Sequence, residues 1–174
     1  MKDVEFIKKL QRVFCEEVGF IPTSKIIDSL EKNKVLTGDL NSQEAGFLLF
    51  EPFLFCQPTT AIIVQAAVNM EAQRQLVGLT LVENLCEKLK ADGREIIQAS
   101  CLENLEANDF WRAAGFTAVA RRPGGKKRKK DVIIWRKQLC VFGNLTNLPI
   151  SRKPRGPSGK FVTPENAASY TLIK

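Results

Sequence analysis

Apolar residues recur every three or four positions over residues 4–18, as Val4, Ile7, Leu10, Val13 and Phe14. That is the period of an amphipathic helix, and Gly19 suits its end, since glycine tolerates the left-handed conformation after a last turn. Pro22-Thr23-Ser24 opens a second helix with Ile26, Ile27 and Leu30 as its stripe, running to about residue 34. The pattern then changes to short apolar runs at 45–50 and 59–68. The second is long, β-branched and nearly continuous in apolar character, which suits a central strand covered on both faces. A helix is predicted over 71–91, with Gly78, Leu81, Val82, Leu85 and Leu89 on one stripe and Asp92-Gly93 as its stop. Residues 96–100 read as a second buried strand, 104–114 as a helix ending at Gly115, and 116–120 with 132–135 as a hairpin. The predicted order is α-α-β-β-α-β-α-β-β, a mixed α/β domain with a β-α-β unit at its centre. Residues 138–174 hold four prolines, several glycines and little periodicity, and read as a tail.

Composition narrows the chemistry. A chain of 174 residues, 44% hydrophobic, suits one domain with one core. No apolar run is long enough to span a bilayer, so no membrane association is expected. The first five residues carry acids where a signal peptide needs basic and then apolar residues, and the expectation is a cytoplasmic protein. The five cysteines, at 15, 56, 86, 101 and 140, are odd in number and form no C-x-x-C pair. They read as buried thiols in a reducing compartment, not as a disulfide framework or a zinc site. There is no histidine, which excludes Ser-His-Asp and Cys-His catalysis and the common catalytic zinc sites, so no metal is expected. The only tyrosine is Tyr170. Carboxylates, hydroxyls, backbone amides, a thiol or a bound cofactor must carry any reaction.

The net charge of +7 is unevenly spread: residues 1–120 hold 12 basic and 17 acidic side chains, residues 121–174 hold 14 and 2. The densest run, 121–130, reads Arg-Arg-Pro-Gly-Gly-Lys-Lys-Arg-Lys-Lys. It is open to two readings, a solvated hairpin tip or a surface for phosphate groups or nucleic acid. No aromatic residue interleaves it for base stacking.

The junction after the strand 59–68 is the first candidate site. A helix beginning there offers unpaired N–H groups and an electropositive dipole end, where phosphate anions settle. Gln73 and Arg74 can turn donors toward an anion. Gly78 either lets a ligand approach the backbone or simply permits close helix–sheet packing.

Two segments carry a resemblance. The first is Val68, Gln73 and Gly78, with Met70 and Leu76 at intervening places; the second is Asn104, Ala107, Phe110, Trp111, Gly115 and Phe116. Over about residues 4–137 the chain resembles the GCN5-related N-acetyltransferase (GNAT) superfamily. The first segment is similar to V-x-P-x-x-R/Q-x-x-G-x-G/A, with Met70 replacing the proline and Leu76 the first glycine. The second is similar to N-x-x-A-x-x-F/L-Y-x-x-x-G-F, with Trp111 in the tyrosine place. The basic run and Trp135-Arg136 look like the closing hairpin of many bacterial and phage members.

The resemblance implies a GNAT-like acyl-CoA N-acyltransferase fold of α/β (α+β mixed sheet) type, with two parallel strands that splay apart and the customary first strand missing. It implies an acetyltransferase-like domain over 1–137, a basic tail over 138–174, and acetyl-CoA as cosubstrate. Pantetheine would pair with the backbone near Ala66 and Val68, and the pyrophosphate would rest on the amides of Arg74, Val77, Gly78 and Leu79, beside Gln73. Asn104 would hydrogen-bond pantetheine and Trp111 would border the thioester. Family tyrosines often protonate the departing thiolate, which an indole cannot do.

The implied reaction is direct attack by an amine on the acetyl carbonyl, with a backbone N–H near Val68 facing the developing oxyanion. Glu51 and Glu103 are candidate bases for the amine's proton, and each is equally readable as a solvated carboxylate. Cys101 is open to reading as a proton donor or as a buried structural thiol. The acceptor amine is a small molecule or a protein of unknown class. A nucleic-acid-associated or non-catalytic CoA-binding protein on this scaffold is the alternative, and a homodimer or the tail would cover the edge that the missing strand leaves.

Overall fold

The computed structural model describes residues 2–52, 58–123, 130–139 and 171–172. Cys56, Cys140, most of the basic run (124–129) and residues 140–170 of the expected tail lie outside the described residues. The chain divides into two compact units, residues 1–52 with 63–93 and residues 53–62 with 94–174.

In the first unit α1 (Lys2–Val13) and α2 (Cys15–Val18) replace the single helix expected over 4–18, because Phe14 leaves helical dihedrals at φ −109° and ψ 32°. The apolar stripe shifts accordingly. Val13 is 54% exposed, while Phe14 packs onto Ile7, Leu10, Ile26, Phe47 and Leu49. The second helix, α3 (Thr23–Glu31), buries Ile26 and leaves Ile27 exposed, since neighbours 100° apart on a helix cannot both face the core. A strand that the pattern does not announce follows, β1 (Val35–Leu40). Its Thr37, Gly38 and Asp39 read locally as a turn; what makes them a strand is antiparallel pairing with β2 (Gln43–Glu51). Asn41 and Ser42 join the two with φ 51° and 64°, positive at both central positions as a tight two-residue hairpin requires. The strands of this unit run β1-β2-β3, where β3 is Thr60–Val68.

The second unit holds the first three residues of β3, then β4 (Ile96–Leu102), α5 (Ala107–Ala113), β5 (Thr117–Arg122), β6 (Val132–Gln138) and β7 (Thr171–Leu172). Its strand order is β3-β4-β6-β5-β7. The β3–β4 ladder is parallel and covers Thr60↔Ile96, Ala61↔Ile97 and Ile62↔Gln98; the others are antiparallel. The mixed sheet expected from the sequence is therefore present. Thr171 and Leu172, inside the segment read as a tail, pair with Arg121 and Ala120 on the edge of β5. Among the described residues no strand precedes α1. Gln98 and Arg136 face each other across β4 and β6, both buried, with Gln98 Oε1 accepting from the guanidinium at 3.1 and 3.2 Å. Burial lowers the Arg136 pKa to about 10, which leaves it cationic at neutral pH.

One contact decides where the last helix of the first unit, α4 (Val77–Ala91), begins. Gly38 and Gly46 are cross-strand partners on β1 and β2. A Cβ on Gly38 would come within 3.2 Å of Val77 Cγ1, and one on Gly46 within 3.1 Å of Val68 Cγ2 and of the Ala67 carbonyl. Leu81 Cγ and Cδ1 lie 3.3 Å from those same two positions. The bare backbone of two paired glycines thus forms the floor on which Val77 and Leu81 sit. Gly46→Val should cost about 1–3 kcal/mol by overpacking, read as a fall in the urea midpoint at unchanged m-value. Wild-type stability in that variant would show that the helix rides up without penalty.

Candidate cofactor site

Leaving β3 at Val68, the chain makes a single 3-10 turn (Met70–Ala72), and α4 starts only at Val77. The helix expected from residue 71 is corrected by six residues. The reason lies in the backbone: Arg74 and Leu76 both take left-handed φ values, 62° and 63°, which a continuing right-handed helix cannot contain. Gln75 reaches back, its Nε2 donating to the Glu71 carbonyl at 2.7 Å, and Gln73 Nε2 points to the Val68 carbonyl at 3.4 Å. The first helical N–H is that of Thr80, donated to the Leu76 carbonyl at 2.9 Å. Among the described residues no backbone acceptor takes the N–H groups of Leu76, Val77, Gly78 and Leu79, and no side chain caps the helix. No acidic residue stands in the first turn of α4. The result is a row of free donors at the positive end of a fifteen-residue helix, a setting for an anion.

Ala66 and Val68 thus lie at the end of β3, Gln73 and Arg74 in the turn, and Val77, Gly78 and Leu79 in the first turn of α4, all in the first unit. Val77 is buried, Gln73 and Arg74 are exposed, and Leu76 presents its side chain to solvent at 68% exposure.

Glu51 is not part of that junction. The start of β2 lies beside the end of β3, where Asn69 N–H donates to the Ala45 carbonyl at 2.7 Å. Glu51 is six residues further along β2, roughly 20 Å away. Its two oxygens accept from Lys25 Nζ at 2.7 Å and Lys34 Nζ at 2.6 Å. Burial pushes the carboxyl pKa up, but the two lysines together outweigh it and hold the group below its ordinary range. Lys25 is raised in turn, chiefly by its hydrogen bond to Glu51. Glu51 is an ion-paired carboxylate with little exposure, which departs from the solvated reading.

In the second unit the β4–α5 turn carries Glu103 and Asn104. Helix α5 begins at Ala107, so Asn104 lies in an exposed turn and outside the helix expected over 104–114. A residue overlooked in the sequence shapes that turn. Asn108 Nδ2 lies within hydrogen-bond reach of the carbonyls of Leu102 (2.8 Å), Glu103 (3.1 Å) and Leu105 (2.8 Å), and its Oδ1 accepts from Trp135 Nε1 at 2.9 Å. Its only sequence signal was an asparagine in a first helical turn, where such side chains compete for backbone groups. Glu103 accepts from Arg121 at 2.5 Å, and Arg121 also reaches Asp131 at 2.7 Å. Trp111 is buried, edge-on to Phe110 and Phe116 with centroids 5.0 and 5.1 Å away. Cys101 is buried and in no disulfide.

Solved structures share this architecture. A GNAT-family acetyltransferase structure from Desulfovibrio desulfuricans superimposes with a TM-score of 0.62 at 18% identity, over 75% of this chain and 91% of that one. The ribosomal-protein-S18-alanine N-acetyltransferase of Escherichia coli gives 0.60 at 21% identity, over 85% and 94%. An aminoglycoside 6'-N-acetyltransferase complexed with coenzyme A gives 0.66 at 12%, over 81% and 93%. The fold is that of the GNAT acetyltransferases. No protein-family model and no curated protein sequence matches the chain. Leu76, which the resemblance sets at a glycine position of the motif, takes a left-handed φ of 63°, a region that favours glycine.

Two outcomes follow from this geometry. Leu76→Gly relieves a left-handed leucine whose side chain contributes little burial, so it should raise stability by about 1 kcal/mol in urea denaturation. Glu51→Gln should lower stability by about 2 kcal/mol at pH 7. The folded carboxyl pKa is depressed, so its contribution is complete above the unfolded value near 4.5 and disappears as pH falls through the folded one. Wild type and variant should therefore converge in pH-dependent denaturation as pH falls from 4.5 through the folded value; a gap that stays constant over that fall would contradict the assignment.

Proposed function

We propose that the protein is an acetyl-CoA-dependent N-acetyltransferase acting on a primary amine. The observation that carries this reading is the turn over 73–76, whose two left-handed residues leave the N–H groups of Leu76, Val77, Gly78 and Leu79 open at the start of α4. Free amides, a helix dipole and a first turn of α4 without an acidic residue fit a diphosphate. Arg74 adds a cation at the rim, and the backbone of Ala66 and Val68 supplies strand-like partners for pantetheine amides. When bound, acetyl-CoA supplies an acyl group already activated as a thioester. The chain's own part is to hold and orient it and to aim the Val68 N–H at the carbonyl oxygen on which charge develops. For Asn104 and Trp111 the reading carries over only what the motif implies, a hydrogen bond to pantetheine and an aromatic border to the thioester.

Glu51 and Glu103 are both neutralised by cations, so we assign the amine's proton to solvent in preference to either carboxylate. A second reading, a CoA-binding relative without turnover, is favoured by one observation: the aromatic at the motif's tyrosine position is a buried indole that cannot protonate a thiolate. A nucleic-acid contact through 121–130 belongs to the same alternative, with Arg121 already committed to Glu103 and Asp131.

Calorimetric titration with acetyl-CoA, followed by thiol release across amine classes, separates these readings. Saturable binding with thiol release for at least one amine class is expected, and Arg74→Glu should weaken binding about tenfold, near 1.4 kcal/mol. Binding without turnover on any amine would select the second reading. No binding would remove both.

A further inference from the structure

Gln11 on α1 and Gln65 on β3 form a buried amide pair in the first unit, 3% and 4% exposed, with no part in the cofactor reading so far. Gln65 Nε2 donates to the carbonyls of Val18 at 3.1 Å and Gly19 at 2.9 Å, where α2 ends. Gln65 Oε1 accepts from Gln11 Nε2 at 2.6 Å. Carbonyl oxygens only accept, so they fix which end of the Gln65 amide faces them. Its oxygen must then face Gln11, and Gln11 must donate. Turning either amide over would set two acceptors or two donors against each other.

That chain of constraints leaves Gln11 Oε1 buried with no hydrogen-bond partner among the described residues. An unmatched buried acceptor opposes folding, and a core of Ile7, Leu10 and Phe47 would accommodate apolar side chains instead. That acceptor lowers stability, while the three hydrogen bonds beside it tie three elements together. Gly19, at φ 75° and ψ −174°, sits in a region open essentially to glycine alone; this turns the chain so that two successive carbonyls converge on one amide.

What the pair holds is β3. The ladder from β3 to β4 covers Thr60, Ala61 and Ile62 only, and Gln65 lies beyond it, immediately before Ala66. We propose that Gln65, anchored by Gln11 and by the Val18 and Gly19 carbonyls, is a positioning residue that sets the placement of residues 66–68 of β3. In the reading above, on which this inference rests, the backbone of that stretch receives the pantetheine amides.

The test uses the full chain, with calorimetric titration of coenzyme A and, separately, of ADP, which carries a diphosphate but no pantetheine. Gln65→Leu should weaken coenzyme A binding about tenfold and leave ADP binding unchanged. Gln11→Leu, which leaves Gln65 on its two carbonyls, should weaken coenzyme A about threefold, and it carries the assay should Gln65→Leu not fold. Leu10→Val, a packing change in the same cluster, should lower Tm without altering either affinity. Equal loss for coenzyme A and ADP, or wild-type affinity in both glutamine variants, would overturn the proposal. Amide hydrogen exchange at Ala66, Ala67 and Val68 separates its failure from that of the cofactor reading. If wild type binds no coenzyme A, faster exchange in Gln65→Leu still supports positioning of the stretch, and unchanged exchange overturns it.

Discussion

The start of α4 is the constraint to which the rest of the first unit answers. Val77 and Leu81 can approach β1 and β2 only because Gly38 and Gly46, paired across the hairpin, offer no Cβ at the contact. A helix anchored there cannot begin earlier without lifting off that floor. The chain must then cross from Val68 to Val77 in a tight turn, and two left-handed residues, Arg74 and Leu76, take up the change of direction. Neither is a glycine, so the turn is strained, and packing beneath it must hold the strain in place. Its consequence is chemical: N–H groups that a longer helix would have used internally stay open toward solvent.

Strong periodicity made much of this legible beforehand. The run at 59–68 and the stripe Leu81, Val82, Leu85, Leu89 encode their own elements, because burial on a strand or a helix face leaves a repeat in the residue order. The motif positions Val68, Gln73 and Gly78 fall at the end of β3, in the turn and in the first turn of α4. What escaped the sequence reading was set by partners distant along the chain. Strand β1 has Gly38 and Asp39 where a local reading sees a turn, and only its register with β2 makes it a strand. Glu51 read as a base or a solvated carboxylate because nothing near it in sequence announces Lys25 and Lys34. Asn108 was hidden for the opposite reason. Its bonds to the carbonyls of Leu102, Glu103 and Leu105 are local, with only that from Trp135 reaching along the chain, and a lone asparagine in a polar turn resembles any other until they are drawn.

The distribution of charge bears on how such a site would act. The acids that could have served as bases each sit against cations: Glu51 between two lysines, Glu103 against Arg121. Arg121 in turn spends its charge on Glu103 and Asp131. Both carboxylates are thus committed to ion pairs, while the first turn of α4 carries no acidic side chain. That contrast favours binding and orientation over proton transfer by a dedicated residue.

Trp111 bears on the same question from the second unit. It packs edge-on between Phe110 and Phe116, and a buried indole of that kind fixes the shape of its surroundings without offering an acidic proton. Losing a proton donor at the leaving group is tolerable when the leaving group is a thiolate, which is stable enough at neutral pH to depart unprotonated. Attack by a neutral amine then depends on the distance and angle at which the thioester is held, and so on the backbone of 66–68 and on what keeps it in place. Under the proposed reading a specific amide pair beside residues 66–68 outweighs its one orphaned acceptor, since apolar side chains at positions 11 and 65 would pack against the core but hold the strand less specifically.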